Sequence, residues 1–270
     1  MALRGAAHSS QTPEPRERLL IACSWAIHAY TALGAVLGLL TLEFAAQHEF
    51  RAAFVALAIA TAIDSTDGPP ARALEVRRRI PFFDGATLDN IVDYLTYVIA
   101  PVFLMIQAGL LPPGTAGLVV GSIAVLASAY GFCQTDAKTA DNYFLGFPSY
   151  WNLVAFYLFC FRLTAAVNAA IVIGLAAMVF VPIKYLYPNR TKPLRPLTIS
   201  LGVVWAIASL AMLPQLPAPN PILLSISFSY VVYYFAASFI LHYRAVMRRA
   251  QAVRNSPVVR ENGYSLHRLH

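Results

Sequence analysis

The chain has 270 residues, of which 58% are hydrophobic and only 12% are charged, with a formal net charge of +7. Soluble globular domains carry about 25% charged residues, so this composition excludes an ordinary soluble fold. Long apolar stretches recur along the chain and predict an all-α integral membrane protein. We expect membrane lipids as its surroundings and no nucleic-acid partner.

Eight apolar stretches predict a bundle of about eight transmembrane helices. Several are shorter than the ~20 residues that span a bilayer, so those helices must extend into neighbouring polar sequence. Pro148 and Pro182 can interrupt two of the predicted helices, so six or seven spans are also compatible with the sequence. The eight stretches are Leu19–Leu42, Ala52–Ile63, Ile91–Leu111, Thr115–Phe132, Tyr150–Phe161, Thr164–Tyr187, Leu197–Leu213 and Ile222–Tyr243. They divide the chain into an N-terminal tail (1–18), a transmembrane domain (19–243) and a basic C-terminal tail (244–270).

The distribution of basic residues predicts the orientation of the bundle. With eight spans, only Arg51 and Arg162 of the 20 lysines and arginines fall on the side opposite the termini. Loops rich in Lys and Arg stay in the cytoplasm. Both termini are therefore predicted to be cytoplasmic. Within the first span, Gly34 and Gly38 have the spacing for close helix packing, either in the bundle interior or at a dimer interface.

Two pairs of aspartates lie at the ends of apolar stretches. Asp64 and Asp67 end the second stretch, and Asp89 and Asp93 open the third. A carboxylate at bilayer depth costs about 2.5–3.5 kcal/mol on insertion scales. Four carboxylates packed together would also repel one another unless a cation lay between them. The pattern predicts a divalent-metal site at the water–lipid boundary, where the metal would meet a phosphate that belongs to a lipid.

Small residues and an arginine accompany these aspartates. Gly68, Ala71 and Gly85 leave room for a substrate to lie against the backbone, and Arg72 offers a guanidinium suited to phosphate oxygens. The motif also contains Pro69-Pro70, which removes two backbone donors. We therefore expect the helix to kink or end there.

The complete pattern resembles the signature of the CDP-alcohol phosphotransferase family. It reads D-x2-D-G-x2-A-R over residues 64–72 and G-x3-D-x3-D over residues 85–93. The resemblance implies that the four aspartates ligate two divalent cations, Mg²⁺ or Mn²⁺, and that Asp93 is the general base. It also implies a homodimer. The CDP moiety would be bound by the other four motif residues, which are Gly68, Ala71, Arg72 and Gly85.

The segment 133–152 mixes acidic and aromatic residues on the predicted cytoplasmic side. Such a segment is typical of the aromatic belt of membrane proteins. It is also suited to a quaternary ammonium, which binds the faces of aromatic rings. Together with residues 28–35 and the twelve-residue connector between Arg72 and Gly85, it resembles the choline-using bacterial branch of the family. That resemblance implies CDP-diacylglycerol and choline as substrates, at the cytoplasmic face of the inner membrane. The candidate choline-site residues are Asp136, Asp141, Tyr143, Phe147, Tyr150 and Trp151.

Two alternative functions are compatible with parts of this pattern. A sister transferase would use glycerol phosphate, inositol phosphate or serine as acceptor. An anionic acceptor needs a basic pocket, for which the sequence offers Lys184, Arg190, Lys192 and Arg195. A cation-coupled transporter would use the aspartates as its ion site. It would not account for the small residues and the arginine of the motif.

Overall fold

The computed structural model describes residues 14–135, 143–187, 191 and 194–254. Helices form most of this described part. The helices are α1 (Pro15–Ala46), α2 (Phe50–Ala73), α3 (Val76–Arg79), α4 (Gly85–Asp93), a π-helix (Tyr94–Ile99), α5 (Ala100–Gln107), α6 (Thr115–Cys133), α7 (Trp151–Phe161), α8 (Ala165–Val179), α9 (Arg195–Met212) and α10 (Pro221–Arg254). Two short strands, β1 (Tyr143–Leu145) and β2 (Lys184–Leu186), pair antiparallel.

Five helices in the described residues are long and apolar enough to cross a membrane. They are Pro15–Ala46, Gly85–Gln107, Thr115–Cys133, Arg195–Gln215 and Pro221–Arg248, and the second of these joins α4, the π-helix and α5. Two shorter apolar helices, α7 and α8, accompany them. The prediction of a helical membrane protein is confirmed. The count of eight spans and their orientation stay predictions.

Several boundaries differ from those expected. The sixth stretch was expected to run to Tyr187, but α8 ends at Val179 and the chain continues into β2. Pro182 lies between them and cannot donate a helical hydrogen bond, so the chain pairs with β1 instead. The small sheet is an addition to the expected all-α fold. At the two ends, α1 begins at Pro15 and α10 runs to Arg254, so both helices extend into the predicted tails.

Of the two outcomes expected at Pro69-Pro70, a kink or an end of the helix, the end is wrong, because α2 continues to Ala73. Both prolines are exposed, as are Ser65 and Thr66, whose carbonyls lose their usual helical donors. Water can therefore satisfy those carbonyls at this end of the bundle. The helical positions of the motif are thus preserved up to Arg72.

Segments predicted to share a side of the membrane meet in the structure. Arg79 of the motif connector forms an ion pair with Glu17 near the N-terminus, with Nη1 and Oε1 3.4 Å apart. At the other end, Nη2 of Arg51 donates to the carbonyl of Leu216 over 2.8 Å. The first contact joins two segments that are predicted to be cytoplasmic, and the second joins two segments that are predicted to lie on the opposite side.

The glycine pair of α1 faces the bundle interior. A Cβ added to Gly34 would lie 2.5 Å from Cγ1 of Val92, and one added to Gly38 would lie 2.7 Å from the Leu95 side chain. These glycines allow α1 to pack closely against α4 and the π-helix. Of the two alternatives, the structure shows interior packing, which holds the helix of Asp89 and Asp93 in place.

Candidate active site

A cavity of about 1630 Å³ opens among the helices and contains all four motif aspartates. Asp64 and Asp67 enter it from α2, and Asp89 and Asp93 from α4. The two halves of the motif, separated by the connector in sequence, therefore face one space, as the spacing predicted.

Three of the four carboxylates form a tight group. One oxygen each of Asp64, Asp89 and Asp93 lies within 4.8 Å of the others, and all three residues are half-buried. Asp89 and Asp93 are one helical turn apart on α4, and Asp64 approaches them from α2. Several carboxylate oxygens converging in this way are the ligand set that a hard divalent cation prefers. The donor chemistry thus fits the Mg²⁺ or Mn²⁺ that the resemblance implied.

Asp67 lies in the same cavity but in a different environment. It is buried, and its Oδ2 accepts a hydrogen bond of 2.6 Å from Oγ1 of Thr31 on α1. A hydroxyl donor stabilises an ionised carboxylate in a place where water is scarce. Thr31, which the sequence analysis did not single out, therefore orients the Asp67 carboxyl group within the site.

Tyr97 is a second site residue that the sequence analysis missed. It lies in the π-helix that directly follows Asp93, and its hydroxyl donates to Oδ2 of Asp64 over 2.8 Å. Single π-turns inside helices are frequent at functional sites because they redirect side chains. One signal was available in the sequence: Gly85, Asp89, Asp93 and Tyr97 recur at intervals of four residues.

Among the predicted CDP-binding residues, Gly68 and Arg72 line the cavity. Arg72 is exposed, and its Nη1 lies 2.9 Å from the position that a Cβ on Gly68 would occupy. The absence of a side chain at Gly68 therefore makes room for the guanidinium. Ala71 and Gly85 are not among the residues that line the cavity.

Gly85 allows α4 to pack closely against α1. A Cβ there would lie 2.5 Å from Cε1 of His28, which is buried on α1. The preceding residue, Asp84, caps α4 by accepting hydrogen bonds from the backbone N–H groups of Ala86 and Thr87. The Thr87 side chain, together with these backbone donors, holds the pKa of the Asp84 carboxyl below its ordinary value.

The described acceptor-site candidates separate into three groups. Phe147 and Tyr150 line the cavity that contains the aspartates. Trp151 is completely buried and donates from Nε1 to Oγ of Ser128 over 2.7 Å, so it belongs to the packed core. Tyr143 lies on β1, where its ring centroid is 5.2 Å from Nζ of Lys184. Neither Trp151 nor Tyr143 lines the cavity. Asp136 and Asp141 lie outside the described residues.

The cavity has further aromatic lining from helices that are distant in the sequence, which the motif analysis did not reveal. Those outside segment 133–152 include Tyr97, Tyr157, Tyr187, Trp205, Tyr230 and Tyr234. Among the described residues, the single basic side chain that lines the cavity is Arg72. Lys184 and Arg195 do not line it, and Arg190 and Lys192 lie outside the described residues.

Comparison with known families agrees with this site. Residues 26–183 match the family model described as CDP-alcohol phosphatidyltransferase. The match covers more than half of the chain and includes all four motif aspartates. The chain belongs to the CDP-alcohol phosphatidyltransferase family and is an enzyme of phosphatidyl transfer.

The chain is also similar to curated bacterial proteins named phosphatidylcholine synthase. The protein from Legionella bozemanae is 42% identical over 212 residues, which cover 76% of this chain and 97% of the relative. The Pseudomonas aeruginosa protein is 40% identical over 211 residues, with 78% and 88% covered. The Legionella pneumophila protein is 38% identical over 223 residues, with 80% and 87% covered. The resemblance to the choline-using branch is confirmed.

Proposed function

We propose that this chain is a phosphatidylcholine synthase, which transfers the phosphatidyl group of CDP-diacylglycerol to choline and releases CMP. One observation carries the proposal: a single cavity combines the four motif aspartates with an extensive aromatic lining. The similarity to phosphatidylcholine synthases supports the same acceptor.

The charges around the cavity favour a cationic acceptor. Within the described lining, Arg72 is the one basic residue, and the resemblance assigns it to the CDP phosphates. Glycerol phosphate or inositol phosphate would bring a further anion beside the substrate diphosphate, with no second basic side chain in the described lining to offset it. Choline instead brings a positive charge, which the faces of the aromatic lining bind.

The aspartates would also hold the metal. Asp64, Asp89 and Asp93 offer converging oxygens, and Asp67 lines the same cavity. We propose two divalent cations, Mg²⁺ or Mn²⁺, held by these four carboxylates. When bound, such ions neutralise charge on the diphosphate and on the departing phosphate.

The bonds that form and break in this transfer indicate roles for Asp93 and Arg72. Asp93 accepts the proton of the choline hydroxyl as general base. The choline oxygen then forms a bond to the phosphorus on the lipid side of the diphosphate. The bond from that phosphorus to the bridging oxygen breaks, and CMP carries that oxygen away. Arg72 holds the phosphate of CMP through charge-assisted hydrogen bonds.

The far part of the cavity suits the lipid portion of the substrate. Side chains of α7 to α10 line it, among them Phe161, Ile171, Val203 and Phe228. An apolar lining keeps the acyl chains, which come from the bilayer, out of water, where each exposed CH₂ would cost about 0.8 kcal/mol. We place the enzyme in the bacterial inner membrane as a homodimer, with the aspartates facing the cytoplasm, where CDP-activated substrates would be found.

The test is a substrate panel. Membranes that contain the enzyme are incubated with CDP-diacylglycerol and, separately, labelled choline, ethanolamine, serine, glycerol phosphate or inositol phosphate. We expect label in lipid with choline and release of CMP in equal amount, and no product from the Asp93→Asn variant. Faster conversion of glycerol phosphate than of choline would refute the proposal. Solute flux into proteoliposomes without CDP-diacylglycerol would instead support the transporter alternative.

A further inference from the structure

Three tyrosines from different parts of the chain lie next to one another beside the aspartates. Tyr97 belongs to the π-helix, Tyr150 is the N-cap residue of α7, and Tyr234 lies on α10. The ring centroids of Tyr97 and Tyr150 are 6.0 Å apart, and those of Tyr150 and Tyr234 are 6.4 Å apart. All three line the cavity that contains the four aspartates. We call them the tyrosine cluster.

Hydrogen bonds fix both ends of this cluster. The hydroxyl of Tyr97 donates to Asp64, and the hydroxyl of Tyr234 donates to the carbonyl of Leu186 on β2 over 3.1 Å. Because these two hydroxyls are engaged, the rings offer a ligand mainly their faces and edges. Tyr97 and Tyr234 are only 9% and 7% exposed. Cation–π attraction is strongest where, as here, water is largely excluded.

The chemistry of choline limits where its ammonium can lie. The quaternary nitrogen is separated from the hydroxyl by two carbons, and the hydroxyl must reach Asp93 to be deprotonated. The ammonium must therefore lie among the rings nearest to the carboxylates. Tyr97 contacts Asp64 directly, and Tyr150 and Tyr234 continue from it.

We infer that the tyrosine cluster is the subsite that binds the trimethylammonium group of the acceptor, an inference that rests on the proposed function. The choline site predicted within the contiguous segment 143–151 is thus assigned instead to residues from three parts of the fold. This assignment excludes Trp151, which is packed in the core, and Tyr143, whose ring already contacts Lys184. The ring faces then select the charged, methylated surface of the trimethylammonium group.

The first test substitutes the two members other than Tyr97, whose hydroxyl donates to Asp64. Tyr150→Leu and Tyr234→Leu remove an aromatic face and should each raise the KM for choline roughly 2- to 30-fold, the range expected for one cation–π contact. The KM for CDP-diacylglycerol should change much less. Tyr150→Phe and Tyr234→Phe keep the ring and should stay close to the wild-type choline KM. Tyr130→Leu, an exposed tyrosine outside the cavity lining, is the control.

A second test separates charge from shape in the unmodified enzyme. The alcohol 3,3-dimethyl-1-butanol has the shape of choline with carbon in place of the charged nitrogen. The wild-type enzyme should use choline at least about tenfold more efficiently, measured as kcat/KM. That preference should decrease in both leucine variants and persist in both phenylalanine variants.

The outcomes distinguish this inference from the function on which it rests. Wild-type enzyme that makes no phosphatidylcholine refutes both. Phosphatidylcholine formation with an unchanged choline KM in both leucine variants refutes the tyrosine cluster alone. A phenylalanine variant as impaired as its leucine counterpart would show that the hydroxyl matters rather than the ring face. Equal kcat/KM values of the wild-type enzyme for choline and for its carbon analogue would refute cation recognition. This comparison does not depend on whether a leucine variant inserts into the membrane.

Discussion

The hydroxyl of Tyr97 donates a hydrogen bond to Oδ2 of Asp64 over 2.8 Å and thereby ties the π-helix to α2. This contact joins the two halves of the aspartate motif through a residue outside it. Asp64 carries one of the three oxygens that converge with those of Asp89 and Asp93. Mutation of a partner that orients a ligating carboxylate typically lowers metal affinity or activity about 10- to 100-fold.

We therefore predict that Tyr97→Phe weakens metal binding. The variant keeps the ring but loses the donor, so its activity should require about 10- to 100-fold more Mn²⁺ for half-saturation. Mn²⁺ binding measured by electron paramagnetic resonance should shift in the same direction. The matched control is Tyr94→Phe, which lies in the same π-helix and loses a hydrogen bond to the carbonyl of Val125. Identical metal dependence of both variants would contradict a positioning role for Tyr97.

The second prediction concerns the aspartates themselves. Asp89→Asn should reduce activity by about 100-fold or more, because it removes a charged oxygen ligand from the group of three. Asp84→Asn is the control, since Asp84 is exposed, does not line the cavity, and Asn also caps helices well. That variant should stay within about threefold of the wild type, because the cap survives. Comparable turnover by Asp89→Asn and the wild type at limiting metal would remove Asp89 from the metal site.

The third prediction uses the contact between Gly85 and His28. Gly85→Ala places a Cβ 2.5 Å from Cε1 of His28, so α4 must shift away from α1. Overpacking of this kind costs about 1–3 kcal/mol, and we expect a lower melting temperature and about tenfold lower activity. Adding His28→Ala should restore part of both, because it removes the ring that the new methyl group meets.

The control for this rescue is Gly174→Ala on α8, where nothing lies within 4 Å of an added Cβ. It should leave activity unchanged and should not interact with His28→Ala. Thermal unfolding of the detergent-solubilised protein and the choline assay provide the two measurements. If His28→Ala worsens Gly85→Ala, the packing explanation for Gly85 is wrong.

The fourth prediction concerns topology. In a variant with its three native cysteines replaced by serine, Arg77→Cys should react with a membrane-impermeant maleimide only from the cytoplasm. Gln215→Cys, in the turn between α9 and α10, should react only from the opposite side. The basic-residue asymmetry requires this opposition. Labelling of both positions from the same side would refute the eight-span arrangement.

Much of the site could be predicted because its spacing is local. Within a helix, residues four apart share a face whatever surrounds the helix, so Asp89 and Asp93 were expected to project together. Composition likewise determined the membrane class, since a chain with 12% charged residues cannot cover a soluble surface. The motif also pointed to the family, which the match over residues 26–183 confirms.

What only the tertiary structure decided depends on contacts between distant segments. Tyr234 and Tyr150 are far apart in sequence and meet only because α10 packs beside the start of α7. Trp151 follows Tyr150 directly, yet its ring lies in the core, because Trp151 begins α7 whereas Tyr150 precedes the helix with a different backbone conformation. The sequence indicated the four aspartates as candidate metal ligands, but it did not indicate Tyr97 or Tyr234 as members of the same site. Packing decided which residues share one cavity, since burial and ring orientation arise from neighbours that no local pattern specifies.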